Sequence, residues 1–308
     1  MRLALVSATG VDIQTIDDRW LLAAARDRGL DATVVRWDDA SVDWPAFDAV
    51  WLRSCWDYHL RYAEFTAWLR RADAAGTRFV NAADIVLRNS HKRYLLRLQQ
   101  DGIPVAPLRL VPQGEPFGTA RFLADVEAGT GAEGAWPDVV IKPAVSASAY
   151  RTWRASTLPR EESAARVAEM LADGDVILQR FVPEIRTHGE WSVIFFDGGF
   201  SHAVRRLPPA GEFRSQLEFG ATLAVATPST PMLATAHTAL LSLCDGHAPC
   251  VARLDLVETA AGPVVMEVEL IEPVLYFGQV PGAATQALDC IVRQAAARTR
   301  TQITAAMR

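Results

Sequence analysis

The chain has no basic block. Lysine and arginine number 31 against 36 aspartates and glutamates, a net charge of −5 over 308 residues. A nucleic-acid binder needs a concentrated positive face, so nucleic acid is excluded as a partner. No segment approaches the ~20 consecutive apolar residues that cross a bilayer, and the start MRLALVSATG lacks the apolar run of a secretory leader. A cytoplasmic chain with no membrane partner is expected. Cysteine is scarce: Cys55, Cys244, Cys250 and Cys290 form no CxxC and no paired Cys/His spacing, which argues against a zinc site and a disulfide scaffold and for reduced, buried thiols. The early loop Ser7–Ala8–Thr9–Gly10 lacks the GxGxxG of a dinucleotide-binding dehydrogenase.

What is there suffices for large cores. Half the residues are apolar and 22% are charged, and the length corresponds to about two domains at roughly 150 residues each. The first hundred residues alternate short apolar runs (Leu3 to Val6, Ala32 to Val35, Asp48 to Leu52, Phe79–Val80) with helical patterns. One helix opens at Asp17 and closes at Gly29; another runs from Leu60 to Ala75. Strands separated by helices predict a parallel sheet covered by helices. Ser90 is the expected N-cap of a helix from His91 to Gln100, and Pro104 to Gly118 reads as a crossing between domains. Further on, Val139 to Ile141 and Val176 to Leu178 read as strands and Pro159 to Leu171 as a helix. Two hairpins follow, Trp191 to Arg206 around Asp197–Gly198–Gly199 and Val251 to Leu270 around Ala261–Gly262–Pro263. A last helix covers Ala283 to Arg298.

The second hairpin carries the strongest chemical signal. Glu267 and Glu269, two apart, share a strand face, and antiparallel pairing can bring Asp255 beside them. Three carboxylates among apolar neighbours such as Leu254, Leu256 and Val268 repel one another unless a cation sits between them, and magnesium takes a few carboxylates plus nucleotide phosphates. A solvated acidic face is the plainer alternative. Lys142 ends the apolar run Val139–Ile141 before Pro143, aimed at an anion or snorkelling outward. The loop after it, with Ser146 and Ser148, is made of small and hydroxyl residues that let backbone amides approach phosphate, although it contains no glycine. Gln179, Phe181 and Val182 lead into a Pro183 turn that can offer a purine edge its contacts, with Glu184 in reach of a ribose. Arg205 and Arg214 flank Pro208–Pro209 and can fork onto phosphate or carboxylate.

In this order the segments Asn89–Ser90–His91–Lys92, Val140–Ile141–Lys142–Pro143, Leu178–Gln179–Arg180–Phe181, Arg253–Leu254–Asp255–Leu256 and Met266–Glu267–Val268–Glu269 resemble the ATP-grasp superfamily, in its glutathione-synthetase and RimK-like branch. More narrowly, Arg53–Ser54–Cys55–Trp56–Asp57–Tyr58, Gly189–Glu190–Trp191–Ser192, Phe213–Arg214–Ser215–Gln216 and Glu269–Leu270–Ile271–Glu272–Pro273 resemble the O-ureido-serine cyclo-ligases of D-cycloserine biosynthesis. Glu269 stands where many superfamily members have asparagine, which makes the metal site more acidic. The resemblance implies an α/β ATP-grasp fold: an N-terminal parallel-sheet domain (1–88), a central lid (89–183) and a C-terminal antiparallel-sheet unit with the metal site (184–308). It implies ATP and Mg2+ as cofactors and a small amino-acid-like substrate, and is compatible with a homo-oligomer. Lys92, Lys142, Ser146, Ser148, Gln179, Phe181, Val182, Glu184 and Glu190 are then expected on the nucleotide, and Asp255, Glu267 and Glu269 on the metal. Arg214 and Arg205 fall at the reacting carboxylate, with Ser54, Trp56, Asp57 and Tyr58 toward the substrate. The expected reaction activates a carboxylate as acyl phosphate for attack by nitrogen. A dipeptide-type ligase and a non-catalytic nucleotide-binding module are the alternatives.

Overall fold

Apolar runs bounded by turn residues become three sheets. The structure, a computed structural model, describes residues 1–10 and 17–306, with side chains in the last helix through residue 297. The first sheet is parallel, in the order β2-β1-β3, from β1 (Arg2–Ser7), β2 (Asp31–Arg36) and β3 (Ala49–Ser54). Helix α1 (Asp18–Asp27) makes the crossover from β1 to β2, a short 3-10 turn (Trp44–Ala46) lies between β2 and β3, and helix α2 (Tyr62–Ala74) follows β3. The expected strand at Phe79–Val80 shrinks to one parallel bridge from Phe79 to Val50. An unforeseen helix α3 (Ala83–Asn89) follows, and Ser90 ends it: its hydroxyl donates to Leu87 O at 2.8 Å instead of capping the next helix. That helix, α4, starts later than expected, at Tyr94–Gln100.

The second sheet is antiparallel, in the order β4-β7-β5-β6: β4 (Leu108–Val111), β5 (Val139–Pro143), β6 (Trp153–Arg154) and β7 (Val176–Arg180). The segment expected as a crossing therefore contains an edge strand, β4, paired with β7. Helices α5 (Thr119–Ala128) and α6 (Arg160–Asp173) cover one face over Val126, Ile141, Val167 and Leu178.

The third sheet, in the order β10-β9-β8-β11-β12, follows a short helix α7 (Ile185–His188). It comprises β8 (Glu190–Phe196), β9 (Gly199–Leu207), β10 (Thr222–Val225), β11 (Val251–Thr259) and β12 (Gly262–Glu269). Asp197 and Gly198, at φ 54° and 75°, form the two-residue turn that the sequence advertises. Helix α8 (Thr230–Leu243) is capped by Ser229, whose hydroxyl accepts from Met232 N at 3.2 Å, and α9 (Ala283–Ala306) closes the chain. Hydrophobic packing crosses the three segments. Leu95 and Leu98 of α4 share a core with Met232 and Leu240 of α8 and Leu254 of β11, and Leu288 and Ile291 of α9 pack with Leu21, Leu3 and Leu5. Among the described residues no helix is long and apolar enough to cross a membrane.

Candidate active site

Strand register builds one charged sheet face. Glu190 on β8 lies opposite Arg206 on β9; Ser192 lies opposite Asp255 on β11; Asp255 and Arg253 lie opposite Glu267 and Glu269 on β12. With period two, all of these share a face, whereas Leu254 and Val268 turn to the apolar core beneath. Both hairpins slip by one residue to achieve this. The register shifts between Ile194 and Phe195 in the first and between Asp255 and Leu256 in the second. Such bulges re-aim side chains beside functional sites.

The edge of β12 is closed by side chains rather than by another strand. Asn89 donates to Val268 O at 2.8 Å and accepts from Leu270 N at 2.9 Å, and the Tyr94 hydroxyl accepts from Val268 N at 3.0 Å. This docking presents Lys92 at the face. Its ammonium donates to Ser146 O at 2.7 Å and to Ser146 Oγ at 3.2 Å, and meets Glu267 Oε1 at 3.0 Å. Lys92 thus ties the loop after β5 to the acidic strand, from the turn ahead of α4. In that loop Ser148, Ala149 and Arg151 adopt left-handed φ values of 49°, 52° and 48°. Residues that carry a Cβ reach by strain, about 1 kcal/mol or more each, a conformation usually supplied by glycine.

A cavity of about 440 Å³ lies between this face, the second sheet and the loop after β3. Val140, Phe181, Val182, Ile185 and Met266 make an apolar slot at one end, and Gln179 lines it with its amide Nε2 lacking any hydrogen-bond partner. Lys142, Ser146, Ser148 and Glu190 also line the cavity. Burial lowers the Lys142 ammonium to about 8, and no hydrogen bond or ion pair reaches it among the described residues. Glu190 is held by Arg206 at 2.8 Å and by the Ser215 hydroxyl; burial and nearby Asp255 raise its carboxyl. Arg214 lines the cavity with its guanidinium forked on Glu212, at 2.6 and 3.1 Å, and stacked 3.7 Å over Phe219.

Several expected residues stand elsewhere. Arg205 points to the opposite face, exposed over the Trp191 ring, and Arg206 takes its place. Glu184 begins α7 outside the cavity wall. Ser54 is turned inward, its hydroxyl donating to Asp18, and Asp57 accepts from Trp37 Nε1 at 2.9 Å; of that loop only Trp56 and Tyr58 reach the cavity. Asp255 is cross-strand from Glu267 as expected, but sits behind the wall. It accepts from Ser192 at 2.7 Å and is paired with Arg206 and Arg253, each at 2.9 Å. Burial works to raise its carboxyl, but the two guanidiniums outweigh it and hold it below the usual range.

Glu267 and Glu269 face the cavity. Lys92 and Lys142 lower the Glu267 carboxyl against its burial. Burial lifts Glu269 to about 7 with the help of Asp255 and Glu267, even though Arg253 sits on it. Among the described residues no three of these groups stand at metal-ligand spacing, since lysine and arginine hold the carboxylates apart. The donor set still suits magnesium: hard carboxylate oxygens of Glu267 and Glu269 on β12, with Asp255 on the adjoining β11. Sequence reading gave no role to Arg206, Arg253, Glu272 or Tyr276, all on the cavity wall. Arg253 and Glu272 lie inside quoted segments, so the signal was present there without an assignment.

Residues 3–81 match the family described as D-cycloserine synthetase DcsG, N-terminal domain, and residues 133–244 match the ATP-grasp domain of prokaryotic glutathione synthetase. The cycloserine biosynthesis protein DcsG of Streptomyces lavendulae is 35% identical over 268 residues, 83% of this chain and 86% of that protein. The crystal structure of D-cycloserine synthetase DcsG superposes with a TM-score of 0.83 at 31% identity, covering 96% of this chain and 100% of the other. A D-alanine–D-alanine ligase from Bacillus anthracis complexed with ATP shares the fold, with a TM-score of 0.68 at 14% identity over 98% and 99% of the two chains. The chain belongs to the ATP-grasp ligases, in the family of D-cycloserine synthetase DcsG.

Proposed function

We propose that this ligase closes O-ureido-D-serine to D-cycloserine at the expense of ATP. The observation that carries the reading is one continuous cavity joining an apolar slot with an unsatisfied amide, a lysine without a partner among the described residues and two glutamates of β12. The slot accepts adenine, with Gln179 donating to a ring nitrogen. Lys142 and Lys92 meet the phosphates, beside the backbone of the Ser146–Ser148 loop. Glu267 and Glu269, with Asp255 once Arg253 releases it, would hold magnesium, which supplies charge neutralisation for the phosphates when bound.

The protein positions and neutralises rather than offering a covalent nucleophile. The substrate carboxylate oxygen attacks the γ-phosphorus of ATP and ADP leaves. The nitrogen of the substrate's own O–N unit then attacks the acyl carbon, and phosphate departs with the carboxylate oxygen. One water hydrolyses the carbamoyl group to carbon dioxide and ammonia. Arg214 and Arg206 are suited to the developing phosphate charge, because a planar guanidinium can fork across two oxygens. Intramolecular attack needs only that the substrate be held curled. Two of the four segments that resemble the cyclo-ligases in sequence, 53–58 and 269–273, meet in space, where Trp56 Nε1 donates to Glu272 O at 3.4 Å; this supports the narrower reading. The test is ADP release from O-ureido-D-serine with and without added amines, with product masses recorded. Cyclisation predicts full turnover with no amine and the mass of D-cycloserine. Turnover that needs an added amino acid identifies a dipeptide-type ligase instead.

A further inference from the structure

Most of the half-buried or buried carboxylates on the cavity wall already have cations. Glu190 has Arg206, Glu267 has Lys92 and Glu269 has Arg253. Glu272 is the exception: among the described residues no ion pair and no side-chain hydrogen bond reaches its carboxyl, which is met by its own backbone N–H. It follows β12 on a loop that the first domain grips firmly. Arg53 donates to Pro273 O at 3.0 Å, the Asp17 carboxylate accepts from Leu275 N and from Phe277 N (3.0 Å for the latter), and Trp56 holds the Glu272 carbonyl. The loop is therefore fixed, and the carboxylate is presented to the cavity beside Trp56 and Tyr58. Burial, with the nearby Glu269 adding to it, lifts this carboxyl to about 8, and a cation arriving on the rigid frame would draw it into its charged form.

We propose that Glu272, walled by Trp56 and Tyr58, is the recognition site for the α-ammonium group of the amino-acid substrate. This rests on the ligase reading for its reaction and adds which feature of the substrate is selected. The chemistry suits the position. An ammonium meets a carboxylate through charge-assisted hydrogen bonds, and aromatic faces add attraction for a cation. The cavity then has two complementary groups: Lys142 for the anionic nucleotide and Glu272, ionised as its partner arrives, for the cationic end of the substrate. Discrimination follows because a site built around a buried charge rejects an analogue that leaves it unpaired far more strongly than an apolar pocket rejects a missing methylene.

The experiment compares O-ureido-D-serine with 3-(ureidooxy)propanoate, which retains the carboxylate and the internal nitrogen and lacks only the ammonium. D-Serine and 3-hydroxypropanoate, with hydroxylamine to trap any acyl phosphate as hydroxamate, form a second pair. ADP release is followed for wild type and Glu272→Gln, an isosteric change. Wild type should prefer the ammonium-bearing member by roughly tenfold or more in kcat/KM, and Glu272→Gln should reduce that preference to a few-fold while the KM for ATP stays within about twofold. A preference equally strong in the variant, or absent from wild type, overturns the proposal. Discrimination confined to the serine pair and dependent on Glu272 discards cyclisation and leaves the ammonium site standing. Silence of wild type with all four compounds overturns both. Should Glu272→Gln fail to fold, Glu272→Ser carries the same comparison.

Discussion

At the scale of single residues, Lys142 and Gln179 are two cavity groups whose surroundings leave them wanting a partner. Lys142 sits at a strand end under enough burial to lower its ammonium to about 8. The sign of the consequence is fixed: the group is charged below that value and neutral above it, so its attraction for phosphate is complete near pH 7 and fades as pH rises through 8. The affinity for ATP, read as 1/KM, should fall by up to about tenfold per pH unit above 8. Arginine stays charged across that range, so Lys142→Arg should flatten this limb, whatever it does to turnover. Both residues were legible in sequence, because a lysine or a glutamine ending an apolar strand is a polar group with nowhere apolar to go. Glu184 was not legible in the same way: after Pro183 the chain turns into α7, and that turn decides which side chains look inward.

At the scale of elements, strand patterns and turns were plain while register was not. Counting back from the Asp197–Gly198 turn with Phe196 opposite Gly199, an unbroken ladder pairs Glu190 with Arg205. The one-residue slip at Ile194 pairs it with Arg206. In the second hairpin an unbroken ladder would set Met266 opposite Asp255; the slip sets Glu267 there instead. A single-residue shift moves a side chain to the other face, and nothing in the composition of these strands announces a bulge. This is why the sequence pointed to Glu267 and Glu269, which line the cavity, and to Arg205, whose place on the cavity face is taken by Arg206. The same geometry predicts opposite outcomes for neighbouring arginines. Arg206→Ala strips the cation from Glu190 and one of the two from Asp255 in the interior and should cost about 3–5 kcal/mol of stability together with most turnover. Arg205→Ala, on the exposed face, should change stability by less than about 0.5 kcal/mol and leave turnover near wild type. Denaturant unfolding and ADP release on the two variants decide it, and equal effects would contradict the register.

At the scale of the whole molecule, the substrate end of the cavity depends on a clamp between distant parts of the chain. The sequence showed a helix opening at Asp17 and suggested that this aspartate begins it. In the structure its carboxylate makes no cap and reaches instead across 258 and 260 residues to the backbone at Leu275 and Phe277. Arg53, buried, lies against Asp17 at 3.4 Å and Asp18 at 3.3 Å while it donates to Pro273 O. Contacts of such separation leave no trace in local periodicity, which is why the motif at 53–58 could be recognised without its job being seen. Removing one member of a buried ionic group leaves the others uncompensated, at about 3–5 kcal/mol, a large part of a typical folding stability of roughly 5–15 kcal/mol. Arg53→Met keeps much of the aliphatic stem and removes the guanidinium, whose carbon stands 4.7 Å over the Trp51 ring. It should lower stability by that amount, and adding Asp18→Asn should recover part of it, because the two changes act on one network. The clamp holds the loop that presents Glu272 and Tyr276, whereas the apolar slot proposed for adenine is built from β5, β12 and the segment from β7 into α7. Arg53→Met should therefore raise the KM for the amino-acid substrate several-fold more than the KM for ATP. Equal rises in both constants would mean that the clamp supports the fold as a whole and not the substrate end of the site.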